Sequence, residues 1–428
     1  MAQLEKGSSK LLTAWAFYDW ANSVYSLVIA SAVFPIFFNA LFTDGQTNIT
    51  IFGTSMKGTA LISFVTAFAF LIVAFISPLL SGIADYAGNK KVFLKMFCYI
   101  GAASCIGLYW FSLENIYMSL VCYLFGLVGF WGSLVFYNSY LPDIAYPEQQ
   151  DAVSAKGYSL GYIGSVVLLV GVLAILMSAA DEDKIQVMRW SFVAVGVWWI
   201  IFSQYSYYYL PKGVKNNKVT RDVMLNGFRE LKKVWVQLSS TVALKRYLGS
   251  FFVYSMAVQT VMLVATYFGA EEIRWADDSE KQMGLIISIL LIQLIAVAGA
   301  ITTSKLSAKF GNIKTLIGIN IIWAMICICA FFVTLPVHFY ITAAFVGLVM
   351  GGIQSLSRST YSKFLPQTTD TASFFSFYDV TEKIGIVIGM MLYGAIDLTF
   401  GSMRYSIIFL ALFFIVGIFL LTRVLKKS

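Results

Sequence analysis

Apolar runs of about 20 residues, each long enough to cross the hydrocarbon core of a bilayer as a helix, recur along the whole chain. No other property narrows the possible folds so far. Lipid offers a backbone amide no hydrogen-bond partner, so a crossing segment must satisfy its own amides as a helix or join a closed barrel, and runs this long are helical. The runs predict twelve spans, roughly over Thr13–Phe42, Gly58–Ala84, Val92–Ser112, Ile116–Leu141, Ala152–Ser178, Trp190–Leu210, Tyr247–Ala270, Met283–Leu306, Ile313–Leu335, Phe339–Leu356, Phe374–Asp397 and Met403–Thr422. Composition agrees: the chain is 59% hydrophobic and 12% charged, where soluble domains carry about a quarter charged residues. The expected fold class is an all-α membrane protein. Met1 to Lys10 is polar and the first run is too long for a signal-peptide core, so that run is expected to remain as a span.

An even number of spans places both ends of the chain on one side. With the ends in the cytoplasm, Lys57, Lys184, Arg189, Arg274, Lys281 and Arg404 fall outside and the other 24 of the 30 Lys and Arg fall inside, as the positive-inside rule requires. Both termini are therefore expected to be cytoplasmic. Residues 211–246 form the one long polar segment, with nine basic residues and two acids. Within it Met224, Phe228, Leu231, Trp235 and Leu238 step at helical spacing, predicting a basic amphipathic helix that lies on anionic lipid of the inner leaflet and does not bind nucleic acid. The expected organisation is an N-terminal six-helix bundle over 1–210, this linker over 211–246, and a C-terminal six-helix bundle over 247–428. The halves repeat one another. Gly88-Asn89 returns as Gly311-Asn312, Leu141-Pro142 as Leu365-Pro366 and Gly161 as Gly385, at nearly constant offset, so spans 2 to 5 map onto spans 8 to 11. Tyr18 and Ala21 find Tyr254 and Ala257 in span 7. Two such halves, with a substrate site between them near the midplane, is the arrangement of major facilitator transporters.

Polar residues inside apolar runs carry the functional signal, because a charge toward the bilayer centre costs on the order of 3 kcal/mol or more. Asp19, Asn22, Ser23 and Ser26 fall at i, i+3, i+4 and i+7 of span 1, a single helical face that must look at water or protein. In span 11, Asp379 and Lys383 are an i, i+4 pair with Glu382 beside them, and Gln259 of span 7 falls near the same depth. The loop after span 2, Gly82-Ile83-Ala84-Asp85-Tyr86-Ala87-Gly88-Asn89-Lys90-Lys91, resembles the major facilitator loop signature. There Gly82 admits a neighbouring helix, Asp85 can face a helix N-terminus, Gly88 turns the chain, and Lys90 and Lys91 hold the inner side. These residues are expected to form a conformational latch. The second copy has Ala308 in place of Asp85, so the latch is expected in the N-terminal half only.

Four pieces, Phe17-Tyr18-Asp19-Trp20-Ala21-Asn22, Val258-Gln259-Thr260, Gly351-Gly352-Ile353-Gln354-Ser355-Leu356-Ser357-Arg358-Ser359 and Phe377-Tyr378-Asp379, resemble the vacuole effluxer family, a branch of the major facilitator superfamily. The likeness runs over essentially the whole chain. It implies a twelve-helix major facilitator fold working by alternating access. Fungal relatives are implicated in exporting amino acids from the vacuole, and the compact loops here are similar to those of bacterial members, which implies the bacterial cytoplasmic (inner) membrane. One departure stands out: where the family often has Y-N-D-G-V-Q-T, this chain reads Tyr254-Ser255-Met256-Ala257-Val258-Gln259-Thr260, without the acid.

The expected substrate is a small polar solute, an amino acid or related zwitterion. Asp19 would accept its ammonium, Arg358 or Lys383 would bind its carboxylate, and Asn22, Ser26, Tyr254, Gln259 and Gln354 would orient it. Asp19, Asp379 and Glu382 are candidates for coupling to a proton. A flippase for lipids or other amphipathic molecules is the alternative on this fold, and a non-transporting sensor or scaffold a further one. An enzyme is not expected, because the sole histidine, His338, sits beside Pro336 at a helix start with no nucleophile or base near it in sequence. The five cysteines lie in apolar runs without metal-ligand spacing, so no metal or cofactor is expected, and the chain is expected to act as a monomer.

Overall fold

The computed structural model describes residues 4–42, 48–213 and 223–425, with the backbone alone over 223–228 and 230. Among the described residues, twelve helices are long and apolar enough to cross a membrane: Ser9–Ala40, Gly58–Ala87, Lys90–Trp110, Ile116–Ile144, Pro147–Ser178, Asp181–Tyr209, Val242–Glu272, Asp278–Phe310, Asn312–Ala330, Pro336–Phe364, Thr371–Phe400 and Met403–Leu425. We number them spans 1 to 12. Most run past the apolar stretches that predict them, because helical hydrogen bonding continues after the hydrocarbon boundary while hydropathy does not. Span 5, for example, starts on Pro147 at its first turn, a position where the missing N–H costs nothing. Span 2 stops at Gly88, whose φ of 69° is the left-handed conformation glycine adopts without strain. Before span 2, Asn48–Ile51 and Thr54–Lys57 form an antiparallel hairpin that hydropathy does not reveal. Its two-residue turn, Phe52-Gly53, has positive φ at both positions.

Span 1 is not uniform. Tyr25–Val33 is wound as a π-helix before Pro35, and the Ser31 hydroxyl donates to the Ser26 carbonyl at 2.9 Å across the widened turn. Proline has no N–H to continue the regular ladder, and π segments of this kind accompany functional sites.

One hydrophobic core gathers side chains of the first six spans, among them Trp15, Phe97, Phe136 and Trp199, and a second gathers Tyr247, Phe251, Trp323 and Phe414 from the last six. Glycines let the paired helices close up. A methyl group on Gly161 would stand 3.2 Å from the Asp19 carbonyl oxygen, so span 5 lies directly on span 1. The repeat-related Gly385, with Gly389, faces Met256 and so sets span 11 on span 7 in the same way. Side chains such as Phe64, Phe75, Met177 and Leu398 are more than half exposed, which lipid-facing surfaces require.

Between the halves, span 5 packs on spans 8 and 10, and span 2 packs on span 11. Polar bridges join the halves at the face where span 1 begins and span 12 ends, here called the terminal face. The linker helix, Val223–Ser240, runs mainly along span 2 and also touches spans 7 and 11. Val234 and Leu238 are the buried residues, Trp235 is 57% exposed beside Phe377, and the side chains of Met224 and Phe228 lie outside the described residues. Lys233 pairs with Asp370 at the start of span 11 at 3.1 Å, so the helix is fastened to protein rather than laid only against headgroups.

Candidate functional site

A cavity of about 230 Å³ lies between the halves. Asp19, Asn22, Ser23 and Ser26 all line it, so the polar face of span 1 looks at this space. Opposite stand Tyr254 and Gln259 of span 7, Gln354 and Arg358 of span 10, and Asp379 and Glu382 of span 11, with Asn138, Tyr158 and Tyr162 contributed by spans 4 and 5. Seven of the eight residues expected to bind solute are thus brought together. Lys383 is the exception.

Arg358 reaches from span 10 into the other half. Its Nη1 and Nη2 each donate to Asp19 Oδ2 at 3.3 Å, Nη1 donates to Asn138 Oδ1 at 3.1 Å, Nε donates to Ser154 Oγ at 2.9 Å, and Nη2 donates to the Ser154 carbonyl at 3.0 Å. The Tyr137 hydroxyl adds a 2.7 Å hydrogen bond to the same Asp19 oxygen. The guanidinium carbon lies 4.8 Å from the Trp15 ring centre, 5.4 Å from that of Tyr137 and 4.2 Å from that of Tyr158, within cation–π range. Arg358 is 2% and Asp19 5% exposed, so two charges have been taken out of water and each depends on the other. Span 5 passes close enough to make room only for glycine: a Cβ on Gly157 would stand 2.5 Å from Asp19 Oδ2 and 3.1 Å from Arg358 Nη2.

The second charged group belongs to span 11. Lys383 Nζ donates to Asp379 Oδ1 at 2.9 Å and to Glu382 Oε2 at 3.2 Å, and sits 3.7 Å from the centre of the Trp131 ring. Gln259 Nε2 donates to Glu382 Oε1 at 2.6 Å, tying span 7 to span 11. Lys383 is 1% exposed and faces its acids and Trp131 rather than the cavity, so it is not placed to meet a solute directly. The other expected residues are engaged in the lining itself. The Tyr254 hydroxyl is 2.8 Å from Ser357 Oγ, and the Tyr162 hydroxyl donates to Gln354 Oε1 at 2.6 Å, bridging the halves.

Below the cavity the terminal face is closed by polar bridges. Asp85 accepts the backbone N–H groups of Ala372 at 3.2 Å and Ser373 at 2.7 Å, in the first turn of span 11, where a carboxylate meets free amides and the positive end of the helix dipole. Lys90 pairs with Asp143 at 2.5 Å and also donates to Thr371 of the other half. Lys91 instead donates to the Leu210 carbonyl at 2.7 Å, capping the end of span 6 within its own half. Gly82 is buried in span 2. A second set of polar bridges crosses the same face, and its acid also lies in the N-terminal half. Asp151, at the start of span 5, accepts Ser307 Oγ at 2.9 Å, Asn312 Nδ2 at 2.9 Å and Lys363 Nζ at 2.7 Å, all from the other half. This bridge joins the ends of spans 5 and 8 as Asp85 joins spans 2 and 11, but the acid has moved to the partner helix. Asp143, Asp151, Ser154 and Lys363 were not singled out by sequence reasoning. Charged residues at span ends are ordinary, and only the meeting of the two halves distinguishes these.

A family described as "Vacuole effluxer Atg22 like" matches residues 7–428. Among curated relatives, the chain is 29% identical to an MFS-type transporter of Bacillus subtilis, YxiO, over 99% of this chain and 96% of that protein. It is 23% identical to Autophagy-related protein 22 of Coccidioides immitis, over 95% of this chain and 85% of that one. Among solved structures it superposes on the E. coli fucose:proton symporter FucP with a TM-score of 0.69 at 15% identity, covering 97% of this chain and 98% of that one. A further FucP structure, described as a major facilitator transporter in the outward conformation, gives a TM-score of 0.67 at 15% identity, with the same coverage of each chain.

Proposed function

The chain belongs to the Atg22-like vacuole effluxer family of major facilitator transporters, and we propose on that premise that it carries an amino acid or related zwitterion through the cavity between its halves. It is a multi-pass membrane transporter and not an enzyme. The observation that carries the substrate reading is the set of charges lining one small cavity. A basic group, Arg358, and three acids, Asp19, Asp379 and Glu382, face a space of about 230 Å³, below the ~300–1,000 Å³ typical of pockets for drug-sized ligands. An acyl chain has no polar group to exchange with those pairs; a compact solute with both charges has one for each sign.

In this reading the carboxylate of the solute docks on Arg358, and Asn22, Gln259 and Gln354 orient the rest. Docking then competes with Asp19 for the guanidinium. Because the Asp19–Arg358 pair ties span 1 to span 10, that competition loosens the terminal face and links binding to opening of the other side. The halves rock as two bundles, released at Asp85 and Asp151. With the termini in the cytoplasm of a bacterial cell, the bridges at Asp85 and Asp151 close the cytoplasmic side, which supports an outward-facing state, the conformation in which FucP has been described. Transport is coupled to a proton, with Asp19, Asp379 and Glu382 as the groups able to take it. The basic linker helix adds contact with anionic inner-leaflet lipid, and one chain contains the whole site.

The test is counterflow of radiolabelled L-amino acids into proteoliposomes of the purified protein. At least one amino acid is expected to exchange well above protein-free vesicles, and Asp19→Asn is expected to reduce that exchange at least tenfold. Exchange of none of them, or exchange indifferent to Asp19→Asn, contradicts the reading.

A further inference from the structure

We infer that Asp379, Glu382 and Lys383 form a monocation site on span 11, in which a proton and the ammonium group of the solute replace one another. The inference rests on the zwitterion reading and assigns the ammonium end within it. Two carboxylates share one lysine here, so the buried group carries an unbalanced negative charge. Lys383 is already occupied: its ammonium meets Asp379 Oδ1, Glu382 Oε2 and the face of Trp131. Glu382 Oε1 is occupied by Gln259. Asp379 Oδ2 is buried, has no hydrogen-bond partner among the described residues, and belongs to a residue that is 6% exposed and lines the cavity.

A second wall of the same cavity points to the same ligand. Asn22 on span 1 is 1% exposed, and its Nδ2 is likewise buried without a partner among the described residues. Two residues of the cavity wall thus hold, just beneath its surface, an unanswered acceptor on one side and an unanswered donor on the other, each of which costs stability while unpaired. A molecule bringing a cationic N–H donor to Asp379 and an oxygen acceptor toward Asn22 answers both.

Among the described residues, no other charge lining the cavity balances the triad. Span 4 presents Trp131 and span 7 presents Gln259, both neutral. Asp19 and Arg358 neutralise one another across spans 1 and 10. The lining tyrosines Tyr158, Tyr162, Tyr254 and Tyr378 are uncharged phenols at neutral pH. In the empty carrier the balancing cation is a proton on the carboxylate pair. On binding, the solute's R–NH₃⁺ forms an N–H hydrogen bond to the deprotonated carboxylate, and the displaced proton leaves through the cavity to solvent.

The test uses purified full-length protein in detergent at low buffer capacity, with an indicator dye. The probes are isoamylammonium, 4-methylpentanoate and L-leucine; the first two are leucine without its carboxylate and without its amine, and the apolar lining at Val258, Met262 and Ile353 suits the shared side chain. Isoamylammonium is expected to release about one proton per protein and to bind about tenfold more weakly for each pH unit of acidification while it competes with that proton. In Asp379→Asn and in Glu382→Gln, either of which removes the surplus charge, the proton release and the pH slope are both expected to vanish. Thermal unfolding of the unliganded variants checks that each is folded, and two independent sites of substitution guard against the loss of one. Wild-type protein that releases no proton to isoamylammonium, or variants that release it unchanged, overturns the monocation site. If isoamylammonium behaves as expected but L-leucine and the other amino acids do not bind, the site stands and the zwitterion reading falls.

Discussion

Arg358→Gln is expected to abolish amino-acid counterflow and to destabilise the protein by about 3 kcal/mol, the cost of leaving a buried carboxylate without its partner. The loss is large because Asp19 is 5% exposed and has nothing to replace the guanidinium except the Tyr137 hydroxyl. The double variant Asp19→Asn/Arg358→Gln removes both charges and is expected to regain most of that stability, since neutral amides and hydroxyls remain to bond one another. It is not expected to regain transport. That separation distinguishes a binding and gating role from a merely structural ion pair. Denaturation of the purified variants and counterflow in proteoliposomes measure the two halves of the prediction, and a double variant that transports as the wild type does refutes it.

Asp151→Ala is expected to open the terminal face. The wild-type carboxylate gathers Ser307, Asn312 and Lys363 from the opposite half, and charged hydrogen bonds of this kind are worth roughly 1.5–3 kcal/mol each. Losing the set is expected to shift the balance between closed and open terminal face by about 3 kcal/mol, roughly a hundredfold. The measurement is the rate at which a membrane-impermeant thiol reagent, applied from the terminal side, modifies a cysteine placed at Asn22 in a background without the natural cysteines. The rate should rise sharply with Asp151→Ala and more modestly with Asp85→Ala, which loses backbone bonds to Ala372 and Ser373 alone. Unchanged rates in both would show that these acids do not hold the face shut.

The features readable in the chain were those that violate the solvent they sit in. Asp19 and Asn22 are conspicuous because lipid tolerates neither, and their helical spacing assigns them to one face; that face lines the cavity. Span number and halves follow from the length and recurrence of apolar runs. Asp85 stood out through the spacing of its loop. Asp151 and Lys363 did not, because acids and bases at span ends are commonplace and nothing local announces that they meet across the halves. Lys383 shows a different limit. Its i, i+4 spacing correctly pairs it with Asp379, but pairing does not say which way the face points, and here Trp131 covers the ammonium. In the linker helix Val234 and Leu238 are buried while Trp235 stays exposed, and periodicity alone does not say which edge of an amphipathic helix a neighbouring span will cover. The π stretch of span 1 has only Pro35 to hint at it.

If one cavity serves both sides of the membrane by turns, the two faces must open and close in opposition, and distances across them report it. Spin labels at Glu148 and Lys309 report the terminal ends of spans 5 and 8, and labels at Met177 and Glu280 report their opposite ends. On adding an amino acid that the carrier exchanges, the account predicts that the first distance gains a longer population while the second gains a shorter one. Distances that stay single and unchanged at both faces in an actively exchanging protein would contradict it.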